Sequence, residues 1–287
     1  MKERGIGVLL LATALGALIA LGLITYFIFQ AGVPLIAKVG LWQFLSGTEW
    51  NPTAKVPKFG ILPMIVGSLW LTFGSLLIGV PLGLAVAVFM VELAPPRLAV
   101  LMRPAIQLLA GIPSVIYGFI GLTLLAPLIR ATLGGPGLSV LTGAIILGFM
   151  ILPTIIAISE DAMRAVPLAI REGAVALGSS HWQVIIGVIL PAARSGIIAG
   201  VILGMGRALG ETMAVIMMIG NSLNIPVSPL QPATTLTSNI GLEMAYAGGD
   251  HRQALFGTGV VLFIFIMILN ALATTFVRRP ATSRRSA

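Results

Sequence analysis

The sequence predicts an all-α integral membrane protein of about six transmembrane helices. Three observations carry that expectation. Of 287 residues, 57% are hydrophobic and only 9% are charged, where soluble domains carry near 25% charged residues. The apolar residues gather into long uncharged runs, Gly5–Phe29 and Leu255–Val277 among them, and each exceeds the roughly 20 residues that cross a hydrocarbon core about 30 Å thick. The charges sit in the segments between such runs, as topology in a bilayer requires.

Taken in chain order, spans are expected near 5–29, 64–93, 98–129, 138–159, 193–220 and 255–277. The first follows Lys2 and Arg4 as the apolar stretch of a signal peptide would. It is longer than the 7–15 residues of such a stretch and lacks a clear small-residue cleavage site, so it reads as a retained helix. The third contains Pro104 and Gly111-Ile112-Pro113, which should bend or break it, because proline lacks an N–H and its ring clashes with the preceding turn. A break at membrane depth survives where protein or a water-filled cavity satisfies the freed carbonyls, which hints at a pathway lining.

Orientation follows from the basic residues. With the N-terminus inside, Lys2, Arg4, Arg97, Arg103, Arg164, Arg171, Arg194 and the arginines from Arg278 to Arg285 face the cytoplasm, against Lys38, Lys55, Lys58, Arg130 and Arg252 outside. The positive-inside rule therefore puts both termini in the cytoplasm. The chain divides into a first helix with its outer loop (1–63), a core of five helices (64–277) with a cytoplasmic loop at 160–192, and a basic tail (278–287) set against anionic membrane lipid. No internal repeat of the kind many secondary transporters carry is visible, so a pathway between two such chains is expected.

Several classes are excluded. The net charge of +8 forms no continuous basic patch, so nucleic acid is not an expected partner. Cysteine is absent, which removes disulfides, thiolate catalysis and Cys-ligated metal. His181 and His251 fall on opposite sides as loop residues and share no metal site. None of the lysines sits in a Gly-x-x-x-x-Gly-Lys-Ser/Thr motif, so the chain does not hold ATP phosphates in the P-loop manner. Nothing suggests covalent catalysis, and the chain is not expected to be an enzyme.

The loop at 160–192 is the most informative stretch. Pro167 suits the first turn of a helix, and Ala169 to Leu177 is rich in helix formers. Gly178 can supply a left-handed C-terminal cap, and Ser179 or Ser180 can cap a second short helix. The result is a helix–glycine–helix elbow whose apolar residues can lie in a partner's groove. Glu172-Gly173-Ala174, three residues, Gly178, nine residues and Val188-Ile189-Leu190-Pro191 together resemble the EAA loop of ABC-importer permeases, with Gly173 and Val188 departing from the usual alanine and isoleucine. The resemblance implies a coupling helix, with Glu172, Gly173, Ala174, Gly178, Leu190 and Pro191 engaging a separate ATPase subunit that would bind the ATP and Mg.

The fifth span carries Arg207 and Glu211, spaced to share one helical face and pair. Gly200 and Gly204 lie on that face, which marks it for close helix packing. Each charge at a helix centre costs about 2.5–3.5 kcal/mol, so both need a reason. Two readings stay open: an anion path in which Glu211 orients Arg207, or a structural pair or intersubunit clasp. At the broken third span, Ser114 and Tyr117 either face the pathway or bond locally around a kink. In the outer segment from Asn221 to Arg252, a capped loop helix near Thr237 is expected, with a re-entrant helix as the alternative.

Arg207-Ala208-Leu209-Gly210-Glu211-Thr212, with Met213-Ala214-Val215 and Gly220-Asn221, resembles the permeases of phosphate-specific transport (Pst) systems, on the PstC-type side. The run from Gly111 to Gly118 and Thr48-Glu49-Trp50-Asn51-Pro52 are similar to the same family. The resemblance implies inorganic phosphate import across a bacterial plasma membrane, with Arg207, Glu211, Ser114, Tyr117 and Thr212 along the pathway. Its implied partners are a PstA-type sister permease, two ATP-binding cassette subunits and a periplasmic or surface-tethered phosphate-binding protein. A permease for sulfate or molybdate, an ion-coupled secondary transporter, and an assembly or sensing subunit are the alternatives.

Overall fold

A computed structural model describes residues 2–278, with side-chain surroundings for 6–271. Helix α1 (Lys2–Val39) is followed by α2 (Leu41–Ser46) and a small antiparallel hairpin, β1 (Trp50–Asn51) against β2 (Lys58–Phe59). Helix α3 (Leu62–Val88) continues into a wide π turn, Phe89–Leu93. Then come α4 (Pro96–Gly111), α5 (Ser114–Ile120), a second π turn at Gly121–Leu125, and α6 (Ala126–Leu133). Helix α7 (Val140–Arg164) leads to the elbow helices α8 (Leu168–Ala176) and α9 (His181–Val184). A third π turn, Ile185–Ile189, opens α10 (Leu190–Gly210), and α11 (Met213–Met218), α12 (Leu236–Glu243) and α13 (Gly249–Arg278) complete the described chain.

Six stretches among the described residues are long and apolar enough to cross a membrane: Ile6–Val39, Leu62–Leu93, Ser114–Leu133, Val140–Arg164, His181–Gly210 and Gly249–Ala271. The number expected from sequence stands, but the bounds shift, most in three spans. The first helix does not stop at 29; it runs through Pro34 to Val39. The third span is two helices meeting at Ile112-Pro113, and the part with membrane-crossing character is the second one. The fifth begins at His181 and ends at Gly210, because Glu211 adopts an extended backbone (φ −70°, ψ 127°). The basic tail beyond Arg278 lies outside the described residues.

Helices α3, α7 and α10 pack through glycines, since small residues let backbones approach where no hydrophobic drive separates helix from lipid. A Cβ on Gly79 would sit 2.8 Å from the Ile151 side chain and 2.9 Å from the Gly148 carbonyl oxygen. Along α10, Gly196 abuts Ala162, Gly200 abuts Ile158, and Gly204 abuts Ile155 and Ile151, so the expectation of a packed glycine face is met. At the other side of the bundle Gly32 of α1 presses on the backbone of Phe256 and Gly257 in α13.

Each π turn is followed, two residues later, by a proline: Pro95, Pro127 and Pro191. A proline ring collides with the carbonyl four residues earlier in a regular helix. Widening the turn, so that Ala94, Ala126 and Leu190 bond back to Phe89, Gly121 and Ile185, moves that carbonyl aside. For Pro127 and Pro191 the helix then continues.

The end of the bundle opposite the elbow is closed by polar contacts. Trp50 Nε1 donates to Glu243 Oε2 at 2.9 Å, and His251 Nε2 lies 2.7 Å from the same oxygen. His251 is thus a buried residue in the first turn of α13, not the loop residue expected from sequence. The anticipated loop helix is α12, which begins at Leu236 under a Thr235–Ser238 capping box. Its first turn is buried, and the Leu236 N–H donates to Ser68 Oγ of α3 at 3.0 Å. The segment turns back into the bundle beside the end of α3.

Gly79→Ala should lower the unfolding stability of the detergent-solubilised chain by about 1–3 kcal/mol, the range for overpacking a tight core. An unchanged thermal midpoint would show that α3 and α7 can separate at no cost.

Candidate substrate path and coupling elbow

Arg207 stands in the last turn of α10, one turn beyond Gly204, which rests on Ile151 near the midpoint of α7. The arginine is therefore at mid-bundle. It is half-buried, and among the described residues it makes no ion pair or hydrogen bond. Tyr117 of α5 lies within electrostatic reach of its guanidinium.

The expected Arg207–Glu211 pair does not form. The helix stops between them, so the four-residue spacing no longer places both on one face. Glu211 Oε1 instead accepts the Ala214 N–H at 3.1 Å, capping the start of α11, and the Glu211 carbonyl accepts the Thr237 hydroxyl at 3.0 Å. The two charges sit at opposite kinds of helix end: the cation at the carbonyl end of α10, the anion at the amide end of α11. Each is where the helix dipole favours it.

The second break answers to the same accounting. In an unbroken helix the Leu109 carbonyl would accept from residue 113, which is proline and has no N–H. The Tyr117 hydroxyl donates to it instead at 2.9 Å, with a longer contact of 3.4 Å from the Ile112 N–H. Tyr117 is thus bonded locally, as one reading allowed, while Ser114 makes no hydrogen bond among the described residues. Thr212 bonds weakly back to the Gly210 carbonyl at 3.3 Å. The two breaks meet: a Cβ on Gly118 of α5 would lie 2.8 Å from the Ala214 Cα of α11. Arg207, Ser114, Tyr117 and Thr212 therefore flank one junction of broken helices. Glu211 joins it as a cap.

The elbow forms as its sequence predicts. Gly178 has φ +85°, and the Gly178 N–H to Val175 and Ser179 N–H to Ala174 bonds close α8 in a left-handed cap. Ser180 caps α9 in a reciprocal box with Gln183. Helix α8 has no buried residue. Glu172, Gly173 and Gly178 are exposed, and so are Leu168, Ile170, Val175 and Trp182, with Leu177 88% exposed. Leu190 and Pro191 lie farther on, as the first two residues of α10, and do not form the elbow's tip. Among the described residues no group of His, Asp or Glu is arranged to hold a metal ion.

Comparison with known proteins places this architecture. The family profile described as "binding-protein-dependent transport system inner membrane component" matches residues 79–282. The chain belongs to that family. It is 45% identical over 260 residues to a Bacillus subtilis (strain 168) protein named probable ABC transporter permease YqgH, covering 88% of this chain and 84% of the relative. It is 37% identical over 289 aligned positions to the phosphate transport system permease PstC of Mesorhizobium japonicum, covering 93% and 88%. Among solved structures, a bacterial ABC transporter that imports the acidic polysaccharide alginate aligns with TM-score 0.69 at 17% identity, over 98% of this chain and 97% of that one. The MetNI methionine transporter aligns with TM-score 0.61 at 20% identity, over 76% and 94%. Those two likenesses speak to the fold. The permease is accordingly a multi-pass protein of the bacterial inner membrane.

The permease also holds ion pairs that sequence reading missed. Glu160, near the end of α7, accepts from Arg103 of α4 at 2.5 Å and from Arg164 at 3.0 Å. Arg171 of α8 reaches Glu92 at 2.6 Å. Only the Glu160–Arg164 spacing was legible as a helical pair; the other partners are distant in sequence.

If Glu211 is a cap and not the arginine's counter-ion, a double-mutant cycle of Arg207→Met and Glu211→Ala on unfolding stability should give a coupling below about 0.5 kcal/mol, with Glu211→Ala alone costing about 1 kcal/mol as lost caps do. A coupling above about 1 kcal/mol would restore the ion pair.

Proposed function

We propose that this permease is the PstC-type half of an inorganic phosphate importer, with Arg207 as the cation that a desolvated phosphate meets at mid-membrane. The observation that carries the reading is a half-buried guanidinium, unpaired among the described residues, at a junction of two broken helices. An arginine in that position costs about 2.5–3.5 kcal/mol to insert, Glu211 does not pair with it to offset that cost, and an intramembrane charge kept at such a cost points to function. Its planar fork suits paired N–H donation to tetrahedral oxygens. Curated relatives named as PstC phosphate permeases, 34–38% identical over most of the chain, support phosphate as the anion.

The junction is open on one side, where α4 has no buried residue and α5 exposes Val115, Ile116 and Phe119. A PstA-type sister permease covering this face would supply the second wall of the pathway. The elbow's exposed apolar residues suit the groove of an ATPase, two of which would bind ATP and Mg and drive alternating access. A solved relative of the fold is described in complex with a pentasaccharide-bound periplasmic protein, in keeping with delivery by a phosphate-binding protein on the outer side. Both termini then lie in the cytoplasm, as the basic residues require.

Opposite unit charges about 4 Å apart interact by about 4 kcal/mol at an effective dielectric near 20, which corresponds to roughly a thousandfold in rate. Arg207→Ala should therefore reduce phosphate uptake by the reconstituted complex at least a hundredfold while leaving it assembled; undiminished uptake removes the anion-path role, and uptake of sulfate in place of phosphate moves the reading to another oxyanion. Gly178→Leu forces a branched side chain into the left-handed region and should abolish ATPase co-purification. Unchanged association and turnover would count against elbow docking.

A further inference from the structure

Apart from Val184 of α9 and the partly buried Ala174 of α8, which pack in one apolar cluster with Ala87, Val88, Met90 and Met163, the elbow meets the bundle through polar contacts. Helix α8 has no buried residue, yet the Arg171 side chain is turned inward and is only 20% exposed. Its Nη1 donates to Glu92 Oε1 at 2.6 Å and its Nη2 donates to the Met163 carbonyl at 2.6 Å. The Glu92 side chain is 7% exposed and belongs to the π turn Phe89–Leu93 at the end of α3. The His181 ring, at the start of α9, lies 3.2 Å from the carbonyl oxygen of that same Glu92. Glu92 thus contacts both elbow helices, by its carboxylate on one side and its backbone on the other, and one guanidinium ties α8 to the ends of α3 and α7. The other ion-pair cluster at this end, Arg103–Glu160–Arg164, joins α4 to α7 and leaves the elbow out.

We infer that the Arg171–Glu92 pair is the strut through which movement of the elbow enters the membrane, and that α3 is the rod it drives. Three features support the direction of transmission. The pair is largely shielded from water, so it is rigid and weakly screened, unlike an exposed pair. It engages α3 at a π turn, a form of helix that occurs frequently at functional sites. And α3 carries the displacement to the candidate pathway: Gly79 is locked on Ile151, while Leu76 and Val80 pack with Ala208, the neighbour of Arg207. Glu92 and Arg171 are positioning residues here; neither meets the substrate.

The inference rests on the reading of the elbow as the ATPase contact. The test uses the whole complex in proteoliposomes, comparing Glu92→Gln with Glu92→Asp. The glutamine variant should keep its ATPase and hydrolyse ATP within twofold of wild type, while phosphate moved per ATP falls at least tenfold; the aspartate variant, which keeps the carboxylate, should stay within threefold of wild type. Wild-type uptake per ATP in the glutamine variant, a parallel fall of hydrolysis and uptake, or an aspartate variant no better than the glutamine one would each overturn the proposal. Should Glu92→Gln fail to assemble, Arg171→Gln replaces it with the same expected drop. Failure of both to assemble assigns the pair to assembly and overturns the strut. A wild-type complex that burns ATP without moving phosphate fails the phosphate reading instead. The comparison then passes to spin labels on Leu93→Cys and Ala176→Cys, in a chain with no cysteine of its own. Their separation should hold constant on nucleotide trapping in wild type and widen in Glu92→Gln, and equal behaviour overturns the strut.

Discussion

A peptide group inside a bilayer has no water to fall back on, and that constraint shapes the centre of this permease. At several of the helix ends near this junction a side chain finishes the hydrogen bonding. Tyr117 serves the carbonyl stranded by Pro113, and Glu211 serves an amide at the start of α11. Asn221, in the left-handed region at φ 49°, donates to the Ile216 carbonyl at 2.7 Å beyond that helix's end, and Ser68 receives the first amide of α12. With these obligations met by neighbours, the arginine at the junction keeps its donors for something else.

The fold was legible in the sequence wherever a signal was local. Span number followed from apolar runs, the elbow from a proline, a glycine and two serines at fixed spacing, and the third-span break from Gly111-Ile112-Pro113. What stayed hidden was non-local. No proline in Gly210-Glu211-Thr212 announces a helix stop, and a lone glycine inside a helical pattern is a weak signal; the stop is held by contacts with Thr237 and Ala214 that appear only once the outer segment has folded back. The pairing of Arg207 with Glu211 was inferred from helical spacing and fell with the helix. The candidate residues were therefore readable as a set, and the local bond of Tyr117 as one of two readings, whereas the roles of Glu211 as a cap and of Arg207 as a cation unpaired among the described residues were not.

Glycine and charge divide the work of holding the bundle. Close crossings at Gly79, Gly204 and Gly32 fix helices against one another inside the apolar layer. Ion pairs appear at the two ends, with Glu160 and Glu92 at one and Lys38 with Asp250 at the other. This suits a protein whose halves must slide or tilt, since packed small residues define an axis while end contacts define how far the ends travel.

The widened turns have a consequence for how the rods are read. Each one takes up a residue more than regular winding would, and one residue is about 100° of rotation. Through Ile185–Ile189, the four residues of α9 and the glycine series at 196, 200 and 204 are set out of phase on what is otherwise one continuous stave. The surface offered to the elbow and the surface offered to α7 can thus vary independently, although a single unbroken backbone carries both.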